Sequence, residues 1–217
     1  MSEVSEDLAT LYYIHDPMCS WCWAFRPVWS QIQAQLPEAE TVKYLLGGLA
    51  PDSNMPMTLS MQAEIQAHWE TIQKKVPGTL FNFHFWTCCK PRRSTYPACR
   101  AVIATRKQKP SLEDEMIRLI QETYYLDARN PSDDDTLIDL AQALDMDTDL
   151  FRIDLNAPET QNMLLAEIRS CQGMGVRCFP GLVLESNGDY QQIHIDYNDA
   201  DKILQQIFAF PIQKLKP

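Results

Sequence analysis

No stretch of this 217-residue chain approaches the ~20 consecutive apolar residues of a membrane span. Nor does its beginning carry the basic region and apolar run of a secretory signal. Met1-Ser2-Glu3-Val4-Ser5-Glu6-Asp7 is acidic and polar, so the expectation is a cytoplasmic protein with no membrane partner. Positive charge is scarce: 19 Lys and Arg stand against 29 Asp and Glu, a formal net charge of -10. Phosphate backbones repel such a chain, which excludes nucleic acid as an expected partner. There is no internal repeat and no low-complexity segment, and the 14 prolines and 7 glycines are scattered rather than gathered into a linker. With 45% hydrophobic and 22% charged residues the composition is that of a globular protein with a proper core.

What is present is cysteine, in an odd number: Cys19, Cys22, Cys88, Cys89, Cys99, Cys171 and Cys178. In a reducing compartment these are catalytic, metal-binding or inert buried thiols rather than a structural framework. Cys19-Ser20-Trp21-Cys22 is the informative pair. It follows a short apolar strand over 10–14 and opens a helical pattern in which Trp21, Phe25, Val28, Trp29, Ile32 and Leu36 recur at spacings of three and four. Pro27 predicts a kink or an early end in that helix. A thiol at a helix start faces unpaired N–H groups and the positive end of the dipole, both of which favour the thiolate. Cys19 therefore reads as nucleophile and Cys22, one turn on, as the resolving thiol. Two other readings stay open. Half a zinc site needs two further ligands at close spacing, whereas Cys88-Cys89 are adjacent and the 4 histidines show no ligand-like spacing. The pair could also be two core thiols.

Further along, 41–46 reads as a second strand with Gly47-Gly48-Leu49-Ala50-Pro51 as its exit loop. Helices are expected over 57–76, 97–107, 111–125, 132–144 and 158–173. Ser111 and Ser132 are expected to open capping boxes and Asn156 to cap the last of these helices, with Gly173 ending it. Strands at 182–185 and 191–195 flank Ser186-Asn187-Gly188-Asp189, a hairpin signal, and a helix over 199–208 closes the chain. The order is strand, helix, strand, a long helical block, strand, hairpin strand, helix.

Asp16-Pro17-Met18-Cys19-Ser20-Trp21-Cys22-Trp23 resembles the active-site stretch of the cytosolic, FrnE-like branch of the DsbA family of thiol–disulfide oxidoreductases, related to 2-hydroxychromene-2-carboxylate isomerases. Tyr96-Pro97-Ala98-Cys99-Arg100-Ala101 is similar to a motif of that family's helical insertion. Gly175-Val176-Arg177-Cys178-Phe179-Pro180-Gly181-Leu182-Val183 is similar to its segment leading into the third strand through a cis-proline. The resemblance implies an α/β protein: a thioredoxin-like domain over 1–55 and 174–217, interrupted by an all-helical insertion over 56–173. It implies dithiol–disulfide exchange on protein or small-molecule disulfides, with no metal and no organic cofactor, and with glutathione as a candidate electron donor. Pro180 is then the cis-proline, with the backbone of Phe179 facing Cys19 and available to an extended peptide. The alternative for Pro180 is an ordinary trans-proline starting a strand.

Trp21 is expected to offer a partly exposed apolar platform to substrate, and Trp23 to pack inside. His15 could lower the Cys19 pKa and Asp16 could accept the Cys22 proton, although Asp16 could equally cap a turn. Cys178 stands where the family has a small residue; it is either a third redox thiol or a tolerated free one. Cys88-Cys89-Lys90-Pro91-Arg92-Arg93 with Arg100 is the one basic concentration, an anion site for a group such as a glutathione carboxylate or a solvated loop. Met55, Met57 and Met61 either line a groove or fill the core. Two other functions remain open. One is a glutathione-dependent isomerase or transferase of the same fold, whose members carry serine at the Cys19 position. The other is a non-enzymatic partner-binding protein.

Overall fold

The computed structural model describes residues 9–37 and 41–209. Its centre is a sheet of order β2-β1-β3-β4. β1 (Thr10–His15) runs parallel to β2 (Thr41–Leu46), with His15 opposite Leu46, and antiparallel to β3 (Gly181–Ser186), with Ile14 opposite Gly181. β3 pairs antiparallel with β4 (Asp189–Ile193) across Asn187-Gly188, both at positive φ (55° and 84°), as a two-residue hairpin turn of the primed type requires. β1 is buried on both faces, which is why it reads as an unbroken apolar run. Leu11 and Tyr13 point to one side with Leu182 and Leu184. There they meet Phe25, Val28, Trp29 and Ile32 of α1 (Ser20–Gln33) and Ile203, Leu204 and Ile207 of α9 (Ala200–Ala209). Ile14 and Val183 point to the other side, against Cys171 and Val176. Each such side chain contributes about 1.5–3 kcal/mol when fully buried.

Pro27 does not end α1: the helix continues to Gln33. Pro27 sits on the exposed face, so the lost backbone donor is at the solvent side while Phe25, Val28 and Trp29 anchor the helix inward.

Between β2 and β3 the chain is helical: α2 (Leu59–Lys75), the short α3 (Phe85–Cys88), α4 (Tyr96–Gln108), α5 (Glu113–Tyr125), α6 (Asp134–Ala143), α7 (Thr148–Leu155) and α8 (Pro158–Gly173). α4 is buried almost throughout and is the hub of this block. Met18 and Leu46 belong to the same apolar cluster as α4, α5 and α6, so block and sheet share a core.

Several local expectations need correction. Ser111 does not open α5, because Pro110–Leu112 take a 3-10 turn and the helix starts after it. Ser132 does not cap α6. Its hydroxyl is buried and donates to the Ser94 carbonyl at 2.6 Å, and Asp133 stands at the cap position. Asn156 ends α7 rather than opening α8, which starts on Pro158 with Ala157 before it. α7 itself is absent from the sequence expectation. Asp147 caps it, its carboxylate accepting from the N–H groups of Asp149 and Leu150, and Phe151 and Leu155 anchor it.

Candidate active site

The strand-to-helix turn 16–19 is built by one carboxylate. Asp16 is fully buried; Oδ1 accepts from the Met18 N–H at 2.8 Å. Oδ2 accepts from the Leu49 N–H at 2.7 Å, the Thr95 hydroxyl at 2.6 Å and the Cys99 thiol at 3.5 Å. The Asp16 carbonyl accepts from the Cys19 N–H at 3.0 Å. The Tyr125 hydroxyl donates to the Met18 carbonyl at 2.7 Å. Cys19 thereby becomes the N-cap residue of α1, with extended backbone (φ -83°, ψ 118°), and its side chain is left free of capping duty. Its thiol lies 3.5 Å from the Phe179 carbonyl, beside the cis Phe179–Pro180 peptide.

The two thiols are electrostatically unequal. A hydrogen bond from the Cys22 thiol holds the Cys19 pKa below its ordinary value of 9.0, aided by the backbone N–H groups of Cys22 and Trp21, while burial opposes this. Cys22 is completely buried, and burial, followed by the neighbouring Cys19, pushes its thiol well up. Of the two sulfurs, Cys19 is the one shifted towards the thiolate, and Cys22 is the proton-bearing donor that favours this.

Asp16 caps the turn, the other role that the sequence offers for it. Burial raises its pKa and its hydrogen bonds oppose that rise. Its charge raises the pKa values of both thiols, and its two oxygens accept from the donors that fix the turn. The groups that lower the Cys19 pKa are Cys22 and the α1 backbone, not His15 as the sequence suggests. His15 is fully buried, stacked on Tyr13 at 5.2 Å, and has no hydrogen-bond partner on either ring nitrogen among the described residues. Burial, with Arg106 and Arg26 adding to it, pushes its pKa from 6.5 down to about 3, so it is neutral at working pH.

That has a measurable consequence. Below 6.5 the unfolded chain takes up a proton at His15 that the folded chain refuses, so stability falls as pH drops from 6.5 towards 3. Relative to His15→Phe, the parent is expected to lose about 1.4 kcal/mol of unfolding free energy at pH 5.5, one unit below the unfolded value. Urea titrations of both proteins at pH 7.5 and 5.5 give that difference directly, and equal losses in the two proteins would refute it.

Phe179 is held by a residue that the sequence offers only as part of a loop. A Cβ on Gly47 would sit 2.0 Å from Phe179 Cε1, so the ring lies on the bare Cα. The Gly47 N–H also bonds the His15 carbonyl at 2.7 Å, fixing the loop. Gly47→Ala is expected to displace Phe179 and cut disulfide exchange roughly ten- to a hundredfold with little change in the pKa of Cys19, read by turnover and by the pH profile of Cys19 alkylation.

Beside the thiols an open groove of about 620 Å³ is lined by Trp21, Cys178, Phe179, Pro180, Ile195 and Tyr197, among others. Trp21 is half-buried, tilted against Tyr197 at 4.9 Å, with the Lys75 ammonium 6.0 Å from its centroid. Trp23 is half-buried too, stacked on Tyr125 at 5.7 Å and donating to the Leu80 carbonyl. Cys178 is exposed on the groove wall. Cys19, Cys22 and Cys178 all lie within electrostatic range of the Tyr197 hydroxyl. Cys171 is buried under β2, and burial pushes it up to about 12. Met57 is buried and Met55 is exposed. Arg100 does not belong to the basic loop. It is buried, forked onto Asp52 at 2.8 and 2.9 Å and bonded to Gln161 and the Leu155 carbonyl. Among the described residues no three His, Cys, Asp or Glu side chains converge as a metal-holding group, and no helix is long and apolar enough to cross a membrane.

A family model described as Thioredoxin matches residues 12–206. The chain belongs to the thioredoxin family. Its fold, a thioredoxin sheet with a helical insertion, is that of the DsbA-family oxidoreductases. A protein from Nitrosomonas europaea named as a candidate protein disulfide isomerase shares 29% identity at a TM-score of 0.82, covering 96% of this chain and all of that one. The cytosolic disulfide reductase DsbM from Pseudomonas aeruginosa superposes with a TM-score of 0.71 at 20% identity, over 85% of this chain and 89% of that one, and DsbM is also known with GSH. Among curated proteins, the ClpXP adapter protein SpxH of Halalkalibacterium halodurans is 23% identical over 95% of this chain and 70% of its own length. SpxH of Bacillus subtilis is 22% identical over 79% of this chain, which spans 56% of that relative.

Proposed function

We propose that this thioredoxin-family chain is a cytoplasmic thiol–disulfide oxidoreductase that works by dithiol–disulfide exchange at Cys19 and Cys22. The observation that carries the reading is the unequal pair at the start of α1: a thiolate-favouring Cys19 facing the Phe179 carbonyl, backed by a buried, protonated Cys22. Cys19 attacks a substrate disulfide and one substrate thiolate leaves. Cys22 then attacks Cys19, gives up its proton, and expels the second thiolate. The electrons come from a small thiol such as glutathione; no metal and no organic cofactor takes part. Trp21, Phe179 and Pro180 form the wall on which an extended peptide lies, the Phe179 backbone pairing with it as an added strand. In a compartment poised to keep thiols reduced, the working direction is reduction or isomerisation.

The test is insulin reduction by dithiothreitol. Acceleration over the uncatalysed rate supports the reading, and none at any protein concentration refutes it for protein disulfides. The likeness to SpxH over most of the chain favours a second reading, an adapter that binds a protein partner. It predicts partner capture that survives replacement of both thiols.

A further inference from the structure

Side chains of adjacent residues diverge in helix and strand alike, so two neighbouring cysteines do not ordinarily meet. In this chain they do. Cys88 ends α3 and Cys89 follows it, and their sulfurs are 3.7 Å apart. Both thiols donate to one acceptor, the Ala128 carbonyl, at 3.4 and 3.1 Å. Ala128 holds positive φ (55°) in the turn after α5. Cys88 is exposed and Cys89 half-buried, so a soluble reagent reaches Cys88 first. Lys90 and Arg93 are exposed beside them and have no ion-pair partner among the described residues, unlike Arg92, which is paired with Asp133. With Arg92 offset by Asp133, whose charge also reaches Cys89, these two are, among the described residues, the unpaired cations next to the pair in the chain.

We propose that Cys88 and Cys89 form a second dithiol site, which takes small anionic disulfides and closes to a vicinal disulfide. Cys88 as thiolate attacks one sulfur of the disulfide; that S–S bond breaks, and the departing thiolate takes a proton from water. Cys89 loses its proton to solvent and attacks the Cys88 sulfur, expelling the second thiolate. Two electrons pass from the pair to the small disulfide, which leaves as two thiols. Burial and the neighbouring Cys88 push Cys89 up to about 12, which keeps it in reserve until the mixed disulfide has formed on Cys88. Adjacent Cα atoms lie about 3.8 Å apart across a trans peptide, closer than ordinary disulfides need. The closed form is therefore readily re-reduced, as regulatory disulfides are.

The test uses the full chain carrying Cys19→Ser and Cys22→Ser, so its result is independent of the first site, with glutathione disulfide as probe. The peptide containing residues 88–89 is expected to become lighter by two hydrogens and to retain no glutathione. Adding Cys89→Ser is expected to stop the reaction at a glutathione adduct on Cys88. Lys90→Ala with Arg93→Ala is expected to slow closure roughly tenfold with glutathione disulfide but not with uncharged hydroxyethyl disulfide. Two free thiols at the end of the incubation, or an adduct that never closes in the protein with both cysteines, would overturn the proposal. Equal slowing with both disulfides would overturn its preference for anions.

Discussion

Cys19→Ser is expected to lower disulfide exchange by at least ~10³-fold, about 4 kcal/mol of transition-state stabilisation, with the fold unchanged. Serine keeps the size of the side chain at the N-cap but replaces a sulfur whose pKa is lowered with a hydroxyl that stays protonated. Cys22→Ser has a different signature. Its hydroxyl can still donate to Cys19, so the first attack persists, but nothing resolves the mixed disulfide, and the substrate remains attached through Cys19. Cys22→Ala also removes the donor and is expected to move the Cys19 alkylation midpoint up. Insulin turnover, trapped adducts by non-reducing electrophoresis, and alkylation against pH separate the three. Turnover retained in Cys19→Ser would place the chemistry elsewhere in the molecule.

The second large effect is on stability. Trp69 of α2 is fully buried among aromatic rings: Phe81 stacked at 4.8 Å, Trp86 at 5.0 Å, Phe83 and Tyr125 at 5.5 Å, and Tyr124 at 5.7 Å. Trp69→Ala leaves a cavity that rigid rings fill poorly, and a loss of about 3–5 kcal/mol is expected in urea unfolding. Trp69→Phe keeps part of the contact and is expected to cost less than half of that. Because Tyr125 both touches Trp69 and holds the Met18 carbonyl, exchange activity is expected to fall with the cluster. A Trp69→Ala protein of unchanged stability would mean that the rings close over the gap.

The parts of the fold legible in the sequence are those fixed by near neighbours. β1 and α1 declare themselves by apolar run and helical period, and the Asn187-Gly188 hairpin by the two residues that tolerate positive φ. The cysteine pair is legible because its spacing and its place at a helix start are local. Contacts made across long separations are not. Ser132 looks like a cap until Ser94 claims its hydroxyl, and nothing near Asp16 in the sequence shows that Leu49, Thr95 and Cys99 gather on its carboxylate. Gly47 carries no sign of its part, because the ring that needs its bare Cα belongs to Phe179. α7 is short, and its Asp147 cap is the one local signal that could have found it.

The partners of the Asp16–Cys19 turn come from far along the chain: Thr95 is 79 residues from Asp16, Tyr125 is 107 from Met18, and Phe179 is 160 from Cys19. Contacts of such separation close long loops, whose entropy is lost before the contacts compensate for it. During synthesis, Cys19 and Cys22 emerge long before the carbonyl and the hydroxyls that complete their surroundings. The groups that favour the Cys19 thiolate are local to α1, whereas the Phe179 carbonyl that faces its sulfur is added only with the segment just before β3.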